Sequence, residues 1–169
     1  DEVMSESSQI ENALMSDPRI TLYKTNGEFV GDYQVKVGDE IITGDKILLC
    51  TGSRPYIPNI PGLSEVNYYT NENFFTMRKL PKKIAVIGGS FVGLEFGFFL
   101  SMMGSEVYIF EMLDRIVYQE EPEISFQLEK DLDQHMHILP LTKVVEIKKS
   151  GDSKIIVAED LESKKTFEV

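Results

Sequence analysis

The stretch KIAVIGGSFVGLEFGFFLSMMGSEVYIFE, residues 83–111, decides the fold. It opens with the apolar run KIAVI, which is typical of a strand that is buried on both faces. A GGS turn over 88–90 follows, and the almost wholly apolar segment 91–103 predicts a helix. Gly104 is a natural helix stop, and EVYIFE at 106–111 indicates a second buried strand. The stretch therefore predicts a strand–turn–helix–strand unit.

The turn carries small residues at the spacing that a bound dinucleotide requires. Gly88 lets the chain turn sharply, Ser90 stands where the backbone approaches a pyrophosphate, and Gly93 lets the helix pack closely on the strand. The N-terminus of the helix offers free N–H groups and the positive end of the helix dipole to phosphates. Ser90 replaces the usual glycine, so its Cβ crowds the phosphate, although its hydroxyl can donate a hydrogen bond. The pattern predicts a dinucleotide site; the alternative is a strand–turn–helix corner without a phosphate.

A carboxylate follows the second strand at the position that decides which dinucleotide binds. Glu111 follows Gly88 at roughly the 20-residue spacing of the acid that binds the 2′-OH of the adenine ribose. A carboxylate at this position repels a 2′-phosphate, because both groups are negative. The sequence therefore predicts NAD rather than NADP as the cofactor.

The predicted helix has one face of small residues and a single ionisable position. Gly93, Gly97 and Ser101 recur at every fourth residue, so this face can lie close against the sheet. Glu95 lies about 200° around the helix from Gly93 and therefore points away from the sheet. A carboxylate among apolar side chains is costly unless it is paired. Glu95 is thus predicted to face a ligand or a cation on a neighbouring domain; the alternative is an exposed helix face.

Upstream, the pattern predicts a small β-structure and then a boundary. Residues 19–50 have the alternation of an antiparallel meander, with an Asn-Gly hairpin turn at 26–27 and a buried strand over Lys46–Cys50. Residues 51–63 carry three prolines and two glycines, a composition that is typical of a linker. The domain boundary is therefore predicted to lie in this linker.

Downstream, the pattern predicts one more helix, a third strand and a second meander. The helix spans 122–136, the strand 137–139, and the meander 142–169. The apolar positions of the helix recur at every fourth residue: Ile124, Leu128, Leu132 and Met136. Strands alternating with helices over 83–139 favour an α/β fold with a parallel sheet.

The composition excludes several classes of protein. Hydrophobic residues make up 42% and charged residues 27%, which is typical of a soluble globular chain. The net charge of −11 argues against a nucleic-acid partner, because phosphate binding needs a basic surface. No apolar run reaches the roughly 20 residues that span a membrane, and no signal peptide is visible, so a cytoplasmic location is expected. One cysteine and two histidines predict neither a disulfide nor a metal site.

With these motifs in hand, the sequence resembles the FAD-dependent pyridine nucleotide-disulfide oxidoreductases, and among them the dihydrolipoamide dehydrogenases most. The matching stretches are CTGSRPYIPNIPGL at 50–63, the segment 80–117, and the TKV at 142–144. The resemblance covers nearly the whole chain, with several motifs in the same order.

The resemblance implies roles for matching residues. Thr51 and Gly52 match a motif near FAD, while Phe91 and Glu95 match residues that line the nicotinamide pocket. Cys50 replaces an alanine and is expected to be a core residue rather than a redox thiol. The implied NAD ligands are Gly88, Gly89, Ser90, Phe91, Val92, Gly93, Glu95, Glu111 and, through its backbone, Val144.

The resemblance also implies a domain organisation. Residues 1–63 match the C-terminal part of an FAD-domain half, a β-meander ending in the TGSRP loop. Residues 64–169 match a Rossmann-like βαβ NAD-binding domain with an antiparallel β-meander, incomplete at its C-terminus. The expected partners are NAD(H) and the remaining FAD and dimerisation domains of a homodimeric parent. No bound flavin is expected of this piece alone, because the FAD fingerprint of the family has no match in it. No catalytic residue or activity is expected either, because the reactive cysteine pair of the family also has no match.

Three questions stay open from the sequence. The same fold serves NADH oxidases, coenzyme A disulfide reductases and ferredoxin-type reductases, and a non-catalytic NAD-sensing module is an alternative of another class. The electron acceptor is also open. Finally, the resemblance implies that the strand that completes the sheet of the NAD domain has no match here, which leaves a sheet edge open beside 83–87. Lys46–Cys50 is predicted to fill this edge, in its own chain or in a neighbouring chain as a swapped dimer.

Overall fold

The computed structural model describes residues 2–151 and 153–169, and over these residues the chain forms two compact units that divide after Ser53. This division falls within the predicted linker 51–63. The helices and strands are α1 (Glu2–Ser16), β1 (Gly27–Gly31), β2 (Gln34–Val37), β3 (Glu40–Thr43), β4 (Lys83–Ile87), α2 (Phe91–Met102), β5 (Glu106–Phe110), α3 (Pro122–Leu132), β6 (His137–Leu139), β7 (Thr142–Ser150), β8 (Ser153–Asp160) and β9 (Thr166–Glu168). No helix in the described ranges is both long enough and apolar enough to cross a membrane.

The first unit contains α1 and an antiparallel sheet in the order β1-β2-β3. The predicted hairpin turn at 26–27 is wrong, because Gly27 already lies in β1 and pairs with Val37 of β2. The chain reverses instead at Tyr33, whose φ of 56° is left-handed. The position of a turn depends on which strands pair, and an Asn-Gly sequence alone does not determine that pairing.

The prediction of a buried strand over Lys46–Cys50 is also wrong. The segment has no regular structure, Leu48 and Leu49 are 88% and 70% exposed, and Cys50 is exposed rather than in a core. A short apolar run becomes a strand only where a neighbouring strand accepts its hydrogen bonds. Within this chain, therefore, Lys46–Cys50 does not extend the sheet beside β4, whose partner in the described part of the chain is β5.

The second unit is built on a parallel sheet in the order β4-β5-β6. β4 and β5 pair from Lys83 with Glu106 to Ile87 with Phe110. Side chains of β5 alternate between the two faces of the sheet. Val107 and Ile109 pack with α2 in one core, and Phe110 packs with β7 and β8 in another. Because its side chains enter both cores, β5 is the strand that joins them. Burying each of these side chains stabilises the fold by about 1.5–3 kcal/mol.

The antiparallel strands β7, β8 and β9 cover the second face of the parallel sheet. Val144, Ile147, Ile156 and Ala158 supply the side of this core opposite Phe110. The observed architecture is thus a mixed α/β fold with one parallel and one antiparallel sheet in the second unit, and the predicted second meander is confirmed.

The apolar face of α3 differs from the predicted one at its first turn, and the helix ends at Leu132 rather than at 136. Leu128, Leu132 and Met136 pack against the first core, as expected. Ile124, however, is 55% exposed, and Ser125 is completely buried in its place. The hydroxyl of Ser125 donates to the carbonyl oxygen of Val117 at 3.4 Å, so a hydrogen bond makes a polar residue acceptable where periodicity favoured isoleucine.

A charged cluster bridges the strands of the parallel sheet. Glu106 accepts hydrogen bonds from the hydroxyl of Tyr108 and the ammonium group of Lys83. The Tyr108 bond, followed by that of Lys83, lowers the pKa of Glu106 from its ordinary value of 4.5. The ring of His137 stacks on Tyr108 with 4.6 Å between centroids.

The cluster predicts an acid-sensitive contribution to stability. A carboxylate with a lowered folded-state pKa stabilises the fold above its unfolded pKa, and this is lost as the pH falls through the folded-state pKa. Glu106→Gln should therefore lower the midpoint of thermal unfolding at pH 7 by about 1–3 °C, because the cluster is solvent-exposed. Melting curves of both proteins should converge in acid. Tyr108→Phe removes the strongest donor to Glu106, so in a Tyr108→Phe background the effect of Glu106→Gln on the melting midpoint should disappear at a higher pH than in wild type. A difference in midpoint between wild type and Glu106→Gln that stays constant at every pH would contradict this account.

Candidate functional site

The glycine turn between β4 and α2 holds the helix tightly against the sheet. Gly88 has a left-handed φ of 109°, and its N–H donates to the carbonyl oxygen of Phe110 at 2.9 Å. A Cβ on Gly93 would lie 2.2 Å from the carbonyl oxygen of Gly88, and one on Gly97 would lie 2.8 Å from Ile109 Cδ1. Real contacts are not this short, so only glycine fits at position 93, where the neighbour is backbone, whereas a side chain at position 97 would have to push the end of Ile109 aside. The predicted small-residue face is confirmed at Gly93 and Gly97.

The N-terminus of α2 presents backbone donors that the protein leaves free. Ser90 is the N-cap residue, and its carbonyl oxygen accepts the first hydrogen bond, from Leu94, at 3.0 Å. Within the described residues, the amides of positions 90–93 have no hydrogen-bond partner, and the Ser90 hydroxyl makes no capping bond. Free amides at the positive end of a helix dipole form a site suited to an anion such as a phosphate.

Glu111 lies beside this turn, directly after β5. Its Oε2 accepts a hydrogen bond from the N–H of Gly89 at 2.7 Å, and its Oε1 accepts one from the N–H of Leu113 at 2.8 Å. A carboxylate can accept about four hydrogen bonds, so two of its acceptor positions remain for other donors. The structure thus brings the predicted ribose carboxylate, Glu111, into contact with the glycine turn.

A segment that we call the strap, residues 112–118, folds back from Glu111 onto the glycine turn. The N–H of Val117 donates to the carbonyl oxygen of Gly89 at 2.8 Å. Ile116 is completely buried, and its Cγ2 lies 2.9 Å from the position of a Cβ on Gly89. Sequence analysis missed the strap, because its contacts with the turn are made by backbone atoms and by an ordinary apolar side chain.

Three further predicted residues lie along α2 on its exposed side. Phe91 and Val92 are 47% and 51% exposed, and Glu95 is exposed one turn further on. Glu95 points away from the sheet, as predicted, and has no hydrogen bond or ion pair within the described part of the chain. The partner that Glu95 was predicted to face stays a prediction.

The remaining predicted residues lie in different surroundings. Val144 is buried in the second core and pairs with Ala158, while β7 begins at Thr142, whose N–H donates to the carbonyl oxygen of Glu111 at 2.8 Å. The start of β7 is thus tied to the site by its backbone. Thr51 and Gly52 belong to the first unit, where both are exposed and irregular.

Comparison with known proteins identifies the family. The family described as "Pyridine nucleotide-disulphide oxidoreductase" matches this chain over residues 1–169. The chain belongs to this family. Among similar proteins, a mercuric reductase of Bacillus cereus is 32% identical over 147 residues, which cover 86% of this chain and 23% of the relative. The mitochondrial dihydrolipoyl dehydrogenase 1 of Arabidopsis thaliana is 31% identical over 157 residues, which cover 88% and 31%.

A solved structure shows the same fold. The HOCl-induced flavoprotein disulfide reductase RclA of Escherichia coli matches with a TM-score of 0.78 and 23% identity, over 95% of this chain and 37% of RclA. The chain thus spans about a quarter to a third of the length of the relatives it matches. The predicted family is confirmed, and its members are FAD-binding oxidoreductases that use NAD(P).

Proposed function

We propose that this chain is the NAD(H)-binding portion of a flavoprotein oxidoreductase. The observation that carries the proposal is the hydrogen bond between Glu111 and the N–H of Gly89, beside the free amides at the start of α2. It joins the two recognition elements of a Rossmann-type site, the phosphate turn and the ribose carboxylate. On this proposal residues 64–169 are the NAD domain, and residues 1–63 belong to an FAD-domain half.

The residues fit a dinucleotide by their chemistry. The amides of positions 90–93 and the Ser90 hydroxyl would hold the pyrophosphate, and Glu111 would accept hydrogen bonds from the adenine ribose. The backbone at Val144 would contact adenine, and Phe91 and Glu95 would line the nicotinamide pocket. NAD(H), when bound, supplies hydride transfer. The chain supplies binding and orientation.

Nucleotide preference is the first test of the proposal. Titration calorimetry of the 169-residue chain should show NADH binding about tenfold or more tightly than NADPH, because the Glu111 carboxylate repels a 2′-phosphate. The same titration with ADP-ribose should retain most of the affinity, since most of the proposed contacts lie on the adenosine and pyrophosphate. Tighter binding of NADPH, or no binding of either nucleotide, would overturn the proposal.

In the whole protein, we propose hydride transfer between NAD and FAD coupled to a dithiol/disulfide pair, as in dihydrolipoamide dehydrogenase. Thr51 and Gly52 would lie near the FAD, in a cytoplasmic homodimer. Mercuric reductase is a second candidate, supported by an identity of 32% against 31% for the dihydrolipoyl dehydrogenase. A longer form of the protein that carries redox cysteines separates the two, by assay with lipoamide and with mercuric ion as alternative acceptors.

A further inference from the structure

The strap fixes the direction of one peptide group at the site. The carbonyl oxygen of Gly89 accepts the N–H of Val117 at 2.8 Å. The carbonyl and N–H of a trans peptide point in opposite directions, and no peptide in the described chain is cis. The N–H of Ser90, which belongs to the same peptide, therefore points away from the strap. If this peptide turned over, it would offer a carbonyl oxygen instead of a donor on that side.

The hydrogen bond from Val117 is held by a strained and buried backbone. Val117 has a φ of 40°, in the left-handed region that a β-branched residue rarely adopts, and it is 1% exposed. Such a conformation persists only where the surroundings enforce it, and it concentrates at ligand sites. Here the Val117 carbonyl oxygen accepts hydrogen bonds from the N–H of Glu120 at 2.8 Å and from the buried Ser125 hydroxyl at 3.4 Å, and Ile116 fills the space against Gly89.

Arg115 braces the end of the strap. Its guanidinium carbon lies 4.0 Å from the centroid of the Tyr118 ring, and its Nη2 donates to the Tyr118 carbonyl oxygen at 3.1 Å. The Arg115 side chain is only 14% exposed, and its buried Nε has no hydrogen-bond partner among the described residues. A planar guanidinium stacked on a ring and bonded to the carbonyl of that same residue closes the segment 115–118 into a loop.

We propose that Arg115 is a positioning residue for nucleotide binding. It holds the strap so that the Val117 N–H keeps the Gly89–Ser90 peptide turned with its donor toward the phosphate. Arg115 acts through the backbone rather than by touching the ligand. The inference rests on the proposed NAD(H) site, and it assigns to Arg115 and Val117 the orientation of the donor that Ser90 offers.

The test compares three variants of the 169-residue chain. Arg115→Lys keeps the charge but loses the plane, and Tyr118→Leu removes the ring on which it stacks. Tyr118→Phe keeps both the ring and the carbonyl oxygen, and is the matched control. Amide hydrogen exchange is followed by NMR at Val117 and, as a reference for the intact fold, at Ile109 in β5. NADH affinity of each protein is measured by calorimetry.

In Arg115→Lys and Tyr118→Leu, we expect exchange at Val117 to accelerate about tenfold while Ile109 stays protected, and NADH affinity to fall about tenfold. Tyr118→Phe should leave both unchanged. Weaker NADH binding with unchanged Val117 protection would overturn the proposal, since Arg115 would then act on the ligand directly. Faster exchange with unchanged affinity would also overturn it, as would equal loss of protection at Val117 and Ile109. If the wild-type chain does not bind NADH, the proposed function itself is wrong.

Discussion

Replacing Gly93 with alanine is expected to weaken NADH binding about a hundredfold, because losing a hydrogen bond to a charged phosphate costs about 1.5–3 kcal/mol, which is roughly ten- to hundredfold in affinity. The new Cβ would lie 2.2 Å from the carbonyl oxygen of Gly88 and 3.2 Å from Val86 Cγ1. The first neighbour is backbone, so the turn that carries the free amides has to move. The same displacement should lower the free energy of unfolding by about 1–3 kcal/mol, as overpacking does.

Gly97→Ala is the matched control for Gly93→Ala. It adds the same methyl group one helical turn further along the same face of α2. Its Cβ would meet the ends of two side chains, Ile109 Cδ1 at 2.8 Å and Met136 Sδ at 3.0 Å. Side-chain ends can move aside while the turn stays in place. We therefore expect some loss of stability in Gly97→Ala but NADH affinity within about twofold of wild type.

Calorimetric titrations of the two glycine variants, made at a temperature where melting curves show both to be folded, decide the matter. Equal NADH affinity in folded Gly93→Ala and wild type would contradict a phosphate site at this turn. Equal weakening by both variants would show that the effect comes from general loosening of α2 rather than from the turn.

The parallel unit could be predicted from the sequence because its local signals agree with its tertiary structure. In residues 83–111, two apolar strand patterns flank a glycine turn and a helix that ends at a glycine, and every one of these elements is observed. Where the local sequence patterns agree with the tertiary structure in this way, the structure of a segment can be predicted from its sequence. Lys46–Cys50 has an equally apolar pattern but no partner strand in the described chain, and a single run of residues cannot report whether a partner exists.

The candidate site was predictable only to the extent that side-chain identity defines it. Glu111 and Gly93 could be predicted, because a carboxylate and a missing Cβ are visible in the sequence. The donors from Leu113 and Val117 are backbone groups, which every residue except proline carries. The left-handed turn at Val117 contradicts local preference, since valine avoids that region. Such a conformation is imposed by packing, so no pattern in the sequence could have indicated it.

Glu111→Gln is expected to lower NADH affinity and to reduce the preference for NADH over NADPH. The carboxylate accepts the N–H of Gly89 with one oxygen and the N–H of Leu113 with the other. The neutral amide has only one acceptor oxygen, so it can replace one of these two hydrogen bonds but not both. It also offers a weaker partner to the ribose hydroxyl. The loss of a hydrogen bond to a charged group costs about 1.5–3 kcal/mol. NADPH should lose less, because the repulsion of its 2′-phosphate disappears together with the charge.

Glu111→Asp separates charge from reach in the same experiment. Aspartate keeps the negative charge, but its side chain is shorter by one methylene group, so it cannot make the 2.7 Å bond to Gly89 without movement of the backbone. We expect Glu111→Asp to weaken NADH binding yet to keep rejecting NADPH, whereas Glu111→Gln weakens NADH binding and loses the discrimination. Titration of wild type and both variants with NADH and with NADPH gives, for each variant, its affinity relative to wild type for each nucleotide, and hence its NADH to NADPH affinity ratio. If the NADH to NADPH ratio of Glu111→Gln equals that of wild type, another residue sets the preference, and the carboxylate serves only to hold the glycine turn and the strap in place.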